Sequence, residues 1–166
     1  MSMPSRFSRE KAMPLAAKLL SALALLLWAP LAMAQNNLGE LLDAGAKKLS
    51  TEEFKQELVQ HMLAGPTATG GSLEVMYTSN GMVQGRGSYA SNVVALASIN
   101  GEWTIDDKGK ICTSMRIGGS TPGVGGGAGV ILPARCQFWF KYAEQYFLSD
   151  SDSDRSTRVF RRTVKQ

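Results

Sequence analysis

The hydrophobic positions of this chain change period once. In the first third they recur at helical spacing. Leu38, Leu41, Leu42, Gly45, Ala46 and Leu49 fall on one stripe, which predicts a short helix weakened by Gly39 and Gly45. Phe54, Leu58 and Met62 then recur every fourth residue behind Ser50, with Glu53 three positions further on. That spacing is a capping box, in which the serine and the glutamate each satisfy the other's backbone N–H. It predicts a second helix, running to Ala64 and stopped by Gly65-Pro66.

After Pro66 the period becomes two. Leu73, Val75 and Tyr77 alternate before Ser79-Asn80-Gly81, and a glycine-rich strand follows from Met82. Asn92 to Ile99 reads as a strand ending in a turn at Asn100-Gly101, and Trp103 and Ile105 form a short strand after it. Ile111, Thr113, Met115 and Ile117 alternate next. Cys136, Phe138, Phe140 and Tyr142 share one face of a later strand, and residues 145–149 and 157–164 complete the series. Seven to eight short strands, each bounded by Asn, Gly, Asp or Ser, predict a mainly β fold, a meandering antiparallel sheet closed as a barrel or sandwich. Regular alternation of strands and helices is absent, which argues against a doubly wound nucleotide fold.

The first 34 residues read as an export leader. Arg6, Arg9, Lys11 and Lys18 precede the apolar run Leu19–Trp28, and Pro30 comes just before Ala32-Met33-Ala34. The run is too short for a membrane anchor, which takes about 20 apolar residues. Cleavage is expected between Ala34 and Gln35, giving a periplasmic or secreted product without a transmembrane anchor. The expected organisation is a leader over 1–34, a helical segment over 35–66 and a β-barrel or sandwich over 67–166. Of 18 basic and 14 acidic side chains, four and one lie in the leader, which leaves 14 and 13, a net charge of +1. A nucleic-acid partner, which needs a dense basic surface, is therefore not expected.

The stretch from Ile111 to Cys136 is crowded with glycine between two cysteines. It lacks the Lys-Ser/Thr that ends a phosphate-binding loop. Gly123-x-Gly125-x-x-Ala128 matches a dinucleotide fingerprint only loosely, and Val130-Ile131-Leu132-Pro133 cannot open the helix which that fingerprint needs. Two cysteines with no histidine nearby do not make a zinc shell, so neither cofactor nor metal is expected. In an oxidising compartment Cys112 and Cys136 should pair, bracing a long hairpin whose Gly118–Gly129 loop is held at its base.

His61, the sole histidine, has no orienting partner on its predicted helix and is not a candidate base. Asp150, Asp152 and Asp154 imitate a calcium loop, but Arg155 and Arg161 stand where Gly and Glu belong. A turn whose aspartates pair with Arg155 and Arg158 accounts for them better. An enzyme would have to rely on carboxylates such as Glu74, Glu102 or Asp106, and no pairing among these is implied. Arg158, Arg161 and Arg162 make the last strand basic. It reads as a solvated edge strand, with contact to an anionic partner as the functional alternative. Tyr77, Trp103, Phe138, Phe140 and Tyr142 are candidates to line a barrel, either as core or as the wall of a ligand cavity.

Gly101-x-Trp103-x-Ile105, Gly109-x-x-Cys112 and the later Cys136, after Leu49-Ser50-Thr51-Glu52-Glu53, together resemble small exported proteobacterial proteins of unknown function. The resemblance spans roughly Leu49 to Val164 and implies an up-and-down, lipocalin- or calycin-like barrel with one or two N-terminal helices. It brings no activity. True lipocalins carry Gly-x-Trp on their first strand, so their ligand preferences do not transfer. The function expected is non-enzymatic binding of a small apolar molecule, or of an envelope component, in or at the mouth of the barrel. The alternative is a protein-interaction module that uses the basic last strand or the glycine loop.

Overall fold

In the computed structural model, residues 35–88, 97–118 and 129–165 are described. The leader over 1–34 and the glycine-rich residues 119–128 lie outside them, as do residues 89–96. Helix α1 (Leu38–Asp43) is followed by the two-residue strand β1 (Lys47–Lys48) and helix α2 (Thr51–Leu58). Eight strands then run in sequence: β2 (Met62–Pro66), β3 (Ser72–Tyr77), β4 (Met82–Gly87), β5 (Ala97–Ile105), β6 (Ile111–Ile117), β7 (Val130–Tyr142), β8 (Gln145–Ser149) and β9 (Val159–Val164). Each pairs antiparallel with the next, and β9 pairs back onto β2 through Ala64↔Thr163 and Leu63↔Val164. The expected antiparallel up-and-down barrel is therefore the architecture, closed with eight strands. β1 pairs with the end of β7 at Lys47↔Lys141 and Lys48↔Phe140, beyond the last residue that β6 pairs there.

The second helix is shorter than its periodicity predicts. Its capping box forms as expected: Glu53 N donates to Ser50 Oγ at 3.2 Å and Ser50 N to Glu53 Oε2 at 2.7 Å. But the helix ends at Leu58, Val59 is extended, and Gln60 turns through φ 68° while its N–H donates to Tyr77 O at 2.7 Å. Met62–Pro66 is the first barrel strand, so the barrel begins inside the segment expected to be helical. Hydrogen bonding to β3 on one side and β9 on the other outweighs the local helical preference, because the barrel closes only through this strand. His61 is consequently exposed in the bend between α2 and β2.

Asn100-Gly101 is likewise not a turn but the middle of β5. A Cβ at Gly101 would lie 2.1 Å from Ser114 O and 2.8 Å from Met115 Cα of β6, so only glycine lets the two strands approach there. β9 is no edge strand either, since β2 and β8 flank it. β7 is long, and only Phe138–Tyr142 pairs with β8; its first half pairs with β6 alone, across a bulge between Thr113 and Met115 that accommodates Pro133. No helix among the described residues is long and apolar enough to cross a membrane.

Two apolar layers result. The inner one fills the barrel beneath α2, where Phe54 packs on Tyr77, Trp103 and Trp139 with ring centroids 5.4–5.6 Å apart. The outer one lies between α1 and the barrel wall and joins Leu38 and Leu41 to Phe138, Phe140, Phe147 and Val159. Cys112 and Cys136 form a disulfide between directly opposed residues of β6 and β7. It ties the hairpin far from the glycine loop, whose base is the Ile117↔Val130 pair, and Cys136 sits mid-strand. The bond braces the wall and does not clip the loop.

Reducing the disulfide, which closes a 24-residue separation, is expected to lower the unfolding free energy by about 3 kcal/mol. Urea denaturation with and without reductant measures this. Phe54→Ala removes the ring that fills one end of the barrel and is expected to cost about 3–5 kcal/mol in the same assay.

Candidate functional site

The two ends of the barrel are filled differently. Where β3, β5 and β7 finish, Phe54 and Leu58 of α2 enter and the space is solid with rings. Trp103 is held there by its Nε1–H, which donates to Thr78 O at 2.9 Å. At the opposite end no helix of the described residues enters, and the inward side chains leave a cavity of about 270 Å³. Leu73, Ile99, Met115, Ile117, Leu132 and Phe160 supply its apolar wall. Thr67, Thr113, Gln137, Arg135 and Arg162 supply its polar groups. The volume lies just below the range of about 300–1,000 Å³ usual for small-molecule sites. It equals roughly nine water-sized volumes of about 30 Å³ each, space for a molecule of about ten heavy atoms.

None of the five aromatic residues expected to line the barrel lines this cavity. Tyr77 and Trp103 point inward but are consumed by packing against Phe54 and Trp139. Phe138, Phe140 and Tyr142 point outward and pack in the layer beneath α1. The alternation along β7 was legible, but its two faces are reversed: the face of Gln137 and Trp139 is the inner one. A bulky aromatic row can be buried on either side of a barrel wall when a helix covers the outside.

Arg162 stands apart from the other basic residues of β9. Arg158 and Arg161 are exposed, the former with its guanidinium 5.0 Å from the Phe160 ring centroid. Arg162 points inward and is only 8% exposed. The three cannot form one surface patch. The Arg162 side chain lies over Gly65, where a Cβ would come within 2.6 Å of Nη1 and 2.3 Å of Arg161 O. Its Nη1 donates to Pro66 O at 2.9 Å and to Arg161 O at 2.8 Å. No carboxylate among the described residues pairs with it. Burial pulls the pKa of its guanidinium down, opposed by the nearby Tyr77. Burial pushes the Tyr77 phenol up to about 12, so at neutral pH Tyr77 carries no negative charge that could serve as counter-ion.

Among the described residues that line the cavity, the other charged one, Arg135, is spent. Arg135 donates to Asp150 Oδ2 at 2.6 Å and Gln137 to Asp150 Oδ1 at 2.9 Å. The three aspartates expected to pair with Arg155 and Arg158 find other partners. Asp150 takes Arg135, Asp152 takes Lys48 at 2.8 Å, and Asp154 accepts the Ser156 hydroxyl and N–H, while Arg155 pairs with Asp43. Glu74 is held below the ordinary carboxylate range by Lys165 and Arg86, and Asp106 accepts the N–H groups of Lys108 and Lys110 in a turn. The Asp106 carboxylate lies close to both cysteine sulfurs, but these are joined to each other and offer no thiolate to a metal. This chain matches no family model, no curated protein and no solved structure.

A buried guanidinium without a counter-ion works against stability, because its desolvation costs several kcal/mol. Arg162→Met keeps the stem and removes the charge. It is expected to raise the unfolding free energy by about 1 kcal/mol or more, read from urea denaturation; a fall of that size would mark Arg162 as a structural residue.

Proposed function

We propose that this chain is an exported, non-enzymatic binding protein that takes a small, largely apolar molecule into the open end of its barrel. One observation carries the reading: the barrel is packed solid at one end by a helix and left with an apolar-walled cavity at the other. Chains gain dispersion energy by filling such voids with their own side chains. A hollow lined by Leu73, Ile99, Met115, Ile117 and Leu132 is therefore retained against that gain. The leader pattern of the first 34 residues supports export, and a disulfide is compatible with an oxidising compartment. The bulge at Pro133 supports the same reading, since bulges beside a site re-aim the side chains that line it, here Leu132 and Pro133.

Native mass spectrometry of the protein isolated from its own cell envelope is expected to show a small non-covalent adduct. Met115→Trp places an indole in the void and is expected to abolish the adduct while leaving the melting temperature unchanged or raised. A protein that retains nothing, and whose melting temperature shifts with no member of a panel of ten-atom aliphatic and aromatic compounds, overturns the reading.

A further inference from the structure

Among the described residues that line it, the cavity has one free charge. Arg162 contributes it from within the wall, 8% exposed, with Arg135 already neutralised by Asp150 and Tyr77 uncharged. A guanidinium carries five N–H donors. Both recorded hydrogen bonds of Arg162 leave from Nη1 and end on backbone carbonyls. Among the described residues no fully enclosed side-chain nitrogen or oxygen lacks a partner. The Nε and Nη2 edge, which has no protein partner, is therefore not sealed in protein, and Arg162 is one of the residues that line the cavity. That edge is the planar, two-pronged donor that matches a carboxylate.

We propose that the barrel binds a monocarboxylate with a medium-length apolar tail, its carboxylate on the Nε/Nη2 edge of Arg162 and its tail against Leu73, Ile99, Met115 and Ile117. The assignment rests on the reading of the cavity as a ligand site and adds the ligand's charge and polarity to it. One guanidinium balances one negative charge, and among the described residues no second free cation lines the cavity for a dianion such as a phosphate monoester. The space for about ten heavy atoms sets the tail at medium length, an aliphatic chain or a single ring with a short linker. Gly65 belongs to the same device, because any side chain there would displace the guanidinium from its place.

Isothermal titration of the disulfide-bonded mature protein with octanoate, 1-octanol and acetate separates the parts of this proposal. Octanoate is expected to bind about ten- to a hundredfold more tightly than 1-octanol, the worth of one charge-assisted hydrogen-bonded contact. Acetate, a head without a tail, is expected to bind too weakly to detect. Arg162→Met should bring octanoate down to the level of 1-octanol and leave 1-octanol within about twofold, while Arg162→Lys keeps part of the preference. The comparison of octanoate with 1-octanol uses the unaltered protein and does not depend on any variant folding. Equal affinities for the two overturn the carboxylate assignment and leave the apolar site standing. If neither binds, the ligand-site reading falls, and acetate binding as tightly as octanoate overturns the role of the apolar wall.

Discussion

The ring of Phe54, lodged among Tyr77, Trp103 and Trp139, decides what the rest of the barrel is. Eight strands enclose a space that side chains can just fill, so whether such a barrel is solid or hollow is settled locally by what enters each end. Here a single capped helix delivers Phe54 and Leu58 to one end. No helix of the described residues does so at the other end, and the inward positions there include the small residues Gly85, Gly87 and Ala97. The cavity is the complement of the plug. Helix, plug and hollow follow from one asymmetry.

That asymmetry also explains why a charge can live inside. At the filled end an unpaired guanidinium would be surrounded by rings and fully desolvated. At the hollow end Arg162 lines the cavity, is not fully enclosed, and gives its Nη1 to the Pro66 and Arg161 carbonyls. The cost of burial is thus lowered without being cancelled, which is the condition under which an incoming anion gains most from the pairing. Tyr77 lies near enough for its charge state to matter, and its burial keeps it neutral.

Much of this was legible in the sequence. The period change after the helices, the capping box at Ser50 and Glu53, and the pairing of Cys112 with Cys136 are local signals, and local signals survive folding. What could not be read was which face of each strand turns inward. On β7 both faces carry rings, Phe138 and Phe140 on one and Trp139 on the other, and only the position of α1 settles that the first pair is covered from outside. On β9 the alternation placed Phe160 and Arg162 together, but three arginines in five residues read as a solvated edge. The sign that could have isolated Arg162 is its alternation with Val159, Arg161 and Thr163, combined with closure of the barrel through β2. That closure depended on recognising Met62–Pro66 as a strand, and the helical spacing of Phe54, Leu58 and Met62 hid it.

The outer layer is not a mere cover. Leu38 N donates to Thr157 O and Gly39 N to Arg155 O, both at 2.8 Å, so α1 anchors the connection between β8 and β9 as well as shielding Phe138 and Phe140. That connection begins at Asp150, which holds Arg135 and Gln137 on the half of β7 that pairs with β6 alone. Without Asp150 in place, Arg135 would stand as a further unpaired cation in the cavity lining. The charge balance inside the barrel is therefore set partly from outside it, through the α1 segment, the 150–158 connection and one carboxylate. A helix of six residues, too short to be stable alone, persists because it is fastened to the wall it helps to organise.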